Sequence, residues 1–208
     1  MYMEGRIVDF LDKLASKSPE PGGGAASALA AAIGAALVAM VGNLTIGKEK
    51  YADVQDRIEE MVKLSDEVRV ALQELVQQDT EVYAVLSVAF KMPRDTDEQK
   101  AERTVKVQAA LKEATMVPYD IADRCLDVCE LSALAADIGN VGAVSDAGVA
   151  VLLAEAAAQC AALNVKINLT SIKDKDFVDE KWTGIQDILS RAKKYKDEVV
   201  KVTYDKLG

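Results

Sequence analysis

No charged residue occurs between Pro21 and Gly47, although 28% of the chain is charged. The block opens on Pro21-Gly22-Gly23-Gly24 and continues as an alanine-rich run from Ala25 to Val41. It closes on Gly42-Asn43-Leu44-Thr45-Ile46-Gly47-Lys48. Pro21 stops any preceding helix, and consecutive glycines reach backbone conformations closed to other residues. Alanine is the strongest helix former. The segment therefore predicts a glycine-rich loop over Ser18 to Gly24, feeding a helix over Ala25 to Leu44 that is buried on all sides. Free backbone N–H groups at such a junction suit an anionic or carbonyl-bearing ligand.

The run is long enough to cross a bilayer. Ala and Gly dominate it, however, and no basic cluster flanks it, Lys48 and Lys50 being partly offset by Glu49. A membrane span is not expected. Neither is a secretory signal, because Glu4, Asp9, Asp12 and Glu20 precede the run where a basic segment would stand. A plain loop and core helix with no ligand stays open as an alternative.

At 208 residues, half of them hydrophobic but only 5% aromatic, the chain can bury a sizeable core of Ala, Val, Leu and Ile in one domain over 1–208. A net charge of −9 without a basic stripe argues against a nucleic-acid partner. The chain has no histidine, which excludes imidazole acid–base chemistry, His-dependent nucleophilic triads and imidazole metal sites. Proton transfer must use Asp, Glu, Lys, Tyr or Cys. Cys125, Cys129 and Cys160 are odd in number and form no CxxC pair. Cys125 and Cys129, four apart, read as core packing in a reduced, cytoplasmic protein without a metal.

Hydrophobic periodicity predicts an all-α bundle. A short amphipathic helix spans Gly5 to Ser16, with Ile7, Val8, Phe10, Leu11 and Leu14 as its apolar face. A long helix runs from Tyr51 to Phe90, and another from Asp97 to Met116. Pro118 then kinks or restarts the chain, which continues to Ile138 and stops at Gly139-Asn140. A second low-charge helix covers Asp146 to Asn164. Val165 to Ile172, partly β-branched, could be extended, and Asp174 to Leu207 forms a last helix that Gly184 could break.

Function is sought where polar groups interrupt apolar faces. The series Val68, Leu72, Leu75, Asp79, Tyr83, Leu86, Phe90 places Asp79 on the inward face. A carboxylate desolvated there has a raised pKa and can take a proton near neutrality; a surface acid at a wet helix edge is the alternative. In the stretch from Gly139 to Gly148, Ser145 or Asp146 is expected to cap the Ala-rich helix, which by itself explains both. Asn164 and Asn168 share a helical face and could orient a heterocycle, or serve as structural amides. Asn43, Lys48 and Tyr51 follow the first Ala-rich helix, where Lys48 could meet a carboxylate or stay solvated.

Taken together, the blocks resemble the cyclodeaminase/cyclohydrolase family acting on one-carbon tetrahydrofolates. They are Ser18 to Gly24, Met40 to Tyr51, Asp79-Thr80-Glu81, Gly139-Asn140 with Ser145 to Ala150, and Ala162 to Leu169, and they lie in family order over nearly the whole chain. The resemblance implies an all-α subunit, usually a homodimer with its folate site near the interface. It also implies that Asp79 is the catalytic acid, and that no cofactor is needed beyond the tetrahydrofolate substrate. Gly22, Gly23, Gly24, Asn43, Lys48, Tyr51, Asn140, Ser145, Asp146, Asn164 and Asn168 become candidate substrate-binding residues. The wording Asn43-Leu44-Thr45-Ile46-Gly47-Lys48 and Ser145 to Val151 is most similar to the methenyltetrahydrofolate cyclohydrolase branch. Formiminotetrahydrofolate cyclodeamination is the alternative, and a non-catalytic folate-binding or scaffold protein the second.

Overall fold

The computed structural model describes residues 2–208. Six α-helices follow in order: α1 (Ile7–Leu14), α2 (Gly23–Asn43), α3 (Gln55–Phe90), α4 (Asp97–Ile138), α5 (Val144–Leu169) and α6 (Lys175–Leu207). Short 3-10 turns occupy Tyr2–Glu4, Glu49–Val54 and Val141–Ala143, and no strand occurs among the described residues. The all-α expectation holds.

The two low-charge helices lie at the centre. α2 packs on α3, α5 and α4, while α5 packs on α4, α2 and α6. Both can be crowded by three neighbours because their inner positions are small. Ala25, Ala28, Ala31 and Ala35 of α2 and Ala147, Ala154, Ala158 and Ala161 of α5 are wholly inaccessible. At Gly34 a Cβ would stand 3.0 Å from the Ala150 carbonyl oxygen, so α2 and α5 nearly touch backbone to backbone. Larger residues from the outer helices, among them Ile58, Met61, Leu72, Ile121 and Ile185, close the core around them.

Several local expectations are corrected. α2 is not buried on all sides: Ile33, Met40 and Leu44 form an exposed stripe along it. Val149, Leu152, Leu163 and Ile167 form another along α5. On α1 only Phe10 is buried, and Ile7, Val8 and Leu11 face outward. Tyr51 lies in a 3-10 turn, and α3 begins at Gln55. Val165 to Leu169 continues α5, because Val165 and Leu169 fall four apart on its buried side and packing overrides β-branching. Ser145 and Asp146 cap nothing; the preceding 3-10 turn is capped instead by Asn140, whose Oδ1 accepts from the Gly142 N–H at 3.0 Å. Gly184 leaves α6 unbroken and makes room for Tyr119, whose hydroxyl would overlap any Cβ there.

Pro118 does not restart the chain, since α4 runs through it. The proline has no N–H to give the Ala114 carbonyl four residues back. Asn168 of α5 supplies the missing donor, its Nδ2 lying 2.9 Å from the Ala114 oxygen.

If tight helix approach is what places α2, enlarging a wholly buried alanine must force it off its neighbours. Ala31→Leu is expected to destabilise the protein by about 1–3 kcal/mol. Chemical denaturation should register this as a lower midpoint with an unchanged slope.

Candidate functional site

α2 has no cap of its own. Gly22 occupies the N-cap position and offers no side chain. The role passes to α3: the Asp79 Oδ2 accepts the Ala25 N–H at 2.9 Å, across 54 residues of sequence. A carboxylate at the third helical N–H occupies the place of a capping oxygen and lies in the favourable field of the helix N-terminus. Gly24 makes the approach possible, because a Cβ built there would fall inside the Asp79 carboxylate.

Asp79 is half-buried on the wall of a cavity of about 420 Å3, large enough for a heterocyclic ligand. Burial raises its pKa, and the Ala25 N–H opposes part of that rise. Beside it, Thr80 is buried with its hydroxyl unpartnered among the described residues. Asn164 and Asn168 enter from α5, and Tyr83, Leu86 and Phe90 supply an apolar wall from α3. The charged groups lining the cavity are Asp79 and Glu20, with no Lys or Arg among them.

Gly22, Gly23, Gly24, Asp79, Asn164 and Asn168 thus come together. Asn43, Lys48, Tyr51, Asn140, Ser145 and Asp146 do not. They lie around the opposite end of α2, roughly 30 Å away for a helix of this length. There Tyr51 and Asn140 act as struts. The Asn140 Nδ2 donates to the Leu44 carbonyl at 2.9 Å, its backbone N–H donates to the Thr45 hydroxyl at 2.8 Å, and the Val141 N–H donates to the Tyr51 hydroxyl at 3.0 Å.

Sequence reasoning missed the cavity-lining roles of Thr80, Tyr83 and Phe90. Tyr83 and Phe90 were read as core by periodicity, yet both are exposed. Their spacing from Asp79 on one helix face was the available signal. Cys125 and Cys129 are free, buried thiols, and burial pushes Cys129 up to about 12, so neither is a nucleophile. Among the described residues no group of three Cys, Asp or Glu gathers to hold a metal ion.

A carboxylate of raised pKa in an acceptor-lined, partly apolar cavity can exchange a proton with a bound ligand and stabilise positive charge on it. The chain is similar to known proteins over almost its whole length. The formiminotransferase-cyclodeaminase family model matches residues 6–199. A methenyltetrahydrofolate cyclohydrolase from Methylorubrum extorquens is 40% identical over 97% of both chains. The formimidoyltransferase-cyclodeaminase of Rattus norvegicus is 30% identical over 92% of this chain, which spans 35% of the rat protein. The crystal structure of formiminotetrahydrofolate cyclodeaminase from Thermotoga maritima superimposes with a TM-score of 0.91, at 28% identity and full coverage of both chains. On sequence and fold alike, the chain belongs to the formiminotransferase-cyclodeaminase family.

Proposed function

We propose that this chain is an enzyme that hydrolyses 5,10-methenyltetrahydrofolate to 10-formyltetrahydrofolate, with Asp79 as its proton-transferring group. The observation that carries this reading is the half-buried Asp79 carboxylate held at the N-terminus of α2 over the cavity. The substrate is a cation whose amidinium carbon bridges N5 and N10. Asp79 stabilises that charge and takes one proton from the attacking water as the carbon–oxygen bond forms. It then hands the proton to N5 as the carbon–N5 bond breaks. The second water proton goes to solvent as the formyl carbonyl forms.

The likeness to the Thermotoga cyclodeaminase favours a second reading on the same carboxylate. There N10 attacks a formimino carbon, and Asp79 protonates the departing ammonia. A spectrophotometric assay separates the two: loss of the methenyl chromophore above the uncatalysed rate marks hydrolysis. Chromophore gain with ammonia from formiminotetrahydrofolate marks deamination, and silence in both leaves a folate-binding protein.

This reading also places the protein in the cytoplasm as a homodimer, apart from nucleic acid and membrane. α2 and the Val141–Leu169 segment are each long and apolar enough to cross a bilayer, but 61% of the first and 50% of the second is buried inside the bundle. Their outer stripes suit a second copy, and Ile167 belongs both to the α5 stripe and to the cavity rim, so a partner seated there would border the site. Lys48 and its neighbours could meet a substrate's carboxylate tail only from such a partner.

Asp79→Asn is expected to lower kcat by about 10²–10⁴-fold, the usual worth of a positioned proton-transfer group. Stability should move the other way. Because burial raises the Asp79 pKa, the folded state holds this proton more tightly than the unfolded chain, and stability falls as pH rises through the raised value. Asparagine removes that cost while its Oδ1 still accepts the Ala25 N–H, so at pH 7 the variant should melt at or above the wild-type temperature. The acid limb of the wild-type kcat/KM profile, which reports the free enzyme, should fall above the ordinary aspartate range.

Gly24→Ala tests the approach itself. The methyl group expels the carboxylate, whose side chain can swing aside, so the fold should survive while kcat drops roughly 10²-fold, the cost of a displacement of about 1 Å.

Leu152→Glu, at mid-stripe and outside the cavity, tests the dimer. Detergent-free light scattering should give twice the chain mass of 22.3 kDa for wild type and the single mass for the variant. A wild-type monomer overturns the dimer, and a requirement for detergent overturns it in favour of a membrane.

A further inference from the structure

Two cavity-lining residues from different helices are chemically linked. Pro118 deprives the Ala114 carbonyl of its helical donor, and the Asn168 Nδ2 takes that place at 2.9 Å. The link settles which end of the amide the ligand meets. A carbonyl oxygen only accepts, so turning the amide over would set oxygen against oxygen and leave the Ala114 carbonyl unpaired. One N–H of the Asn168 amide is therefore held by the backbone, which orients the group and leaves its Oδ1 as the acceptor a ligand can meet.

Asn164 is oriented in the same sense, one N–H of its amide donating to the Cys160 carbonyl at 2.9 Å within α5. Its side chain lies against Gly23, whose Cβ, if present, would stand 3.3 Å from Nδ2. Together with Asp79 and Glu20, the cavity presents acceptor oxygens from several directions. A ligand that fits such a wall brings donors. The reduced pterin of a tetrahydrofolate carries such donors at the N3–H, the 2-amino group and the N8–H.

We propose that Pro118 is a positioning residue that fixes the Asn168 amide with its oxygen toward the cavity, and that Asn168 thereby recognises an N–H donor on the pterin edge. This rests on the folate reading above. It assigns Asn168 to binding and not to the proton transfer carried by Asp79, so it predicts an effect on KM with kcat spared.

The test uses the full-length protein and 5,10-methenyltetrahydrofolate. Wild type is assayed first; an inactive wild type sinks the folate reading, and this proposal with it. Given an active wild type, Asn168→Ala is expected to raise KM by about 10-fold or more, the worth of one lost hydrogen bond to a donor, with kcat within about 3-fold. Because Asn168→Ala also strips the Ala114 carbonyl of its donor, Pro118→Ala/Asn168→Ala is made alongside, restoring a backbone N–H at position 118. Pro118→Ala alone should melt no lower than wild type yet raise KM several-fold, because the amide is no longer held. The double variant should match Asn168→Ala in KM, the two changes being non-additive. An unchanged KM in the double variant overturns the recognition role, and an unchanged KM in Pro118→Ala overturns the positioning role. Full additivity in the double variant shows independent effects and overturns the pair.

Discussion

The bond from the Ala25 N–H to the Asp79 carboxylate holds the architecture and the chemistry in one place. It ends an otherwise uncapped helix, ties α2 to α3, and sets a carboxylate at the mouth of the cavity. Each part depends on the others. A side chain at position 22 able to cap α2 would compete with Asp79, and a side chain at position 24 would expel it. The helix N-terminus in turn helps a partly desolvated carboxylate keep its charge. Burial and the backbone donor act on Asp79 in opposite directions, and burial is the larger. The balance leaves a more willing proton acceptor than a surface aspartate.

The absence of charge from Pro21 to Gly47 follows from the same geometry. α2 is pressed by three helices, and at its inner positions even one extra methylene meets backbone or packed side chains. Alanine serves there because it adds little volume and still favours the helix. The apolar stripe from Ile33 to Leu44 has a different cause, since those side chains are large and not needed for packing within the chain. A stripe of that kind on α2, with another on α5, is more than isolated exposed leucines would make.

Helix positions were legible in the sequence because hydrophobic spacing repeats over several turns in α3 and α6, while α2 and α5 stand out as alanine-rich, low-charge runs. What failed was local chemistry overridden by tertiary contact. Pro118 reads as a break because its lost hydrogen bond cannot be seen to be replaced by a residue 50 positions later. Val165 and Ile167 are compatible with an extended segment because β-branching is visible and the packing of Val165 and Leu169 is not. Ser145 and Asp146 read as caps because of residue type, whereas the turn before α5 is built by Asn140. At the site, Asp79, Asn164 and Asn168 were legible as polar residues breaking apolar faces. Asn43, Lys48 and Tyr51 were grouped with them through shared motif blocks, and the motif order does not encode that α2 carries its two ends to opposite sides of the bundle. Tyr83 and Phe90 illustrate the complementary limit: periodicity finds the inward face but not where the core gives way to a cavity.

A chain without histidine must do acid–base work with a group whose ordinary pKa is far from neutrality. For a neutral ligand a carboxylate would be a poor choice, because burial strong enough to raise its pKa also makes its anion costly. A cationic ligand changes the balance. Of the two acids lining the cavity, Glu20 is paired with Lys13 at 3.4 Å, and Asp79 has no cation beside it among the lining residues, so a bound amidinium would supply that charge. While that charge is present, the Asp79 anion is stabilised and can polarise the attacking water. As water adds and the charge is lost, the same carboxylate becomes more basic and takes the proton. The pKa of Asp79 would thus follow the reaction coordinate, rising as the substrate's charge disappears. A fixed cation in the cavity wall would hold that pKa down throughout and defeat the second half of the cycle. The lack of a lysine or arginine beside Asp79 in the lining would then be part of how the carboxylate works.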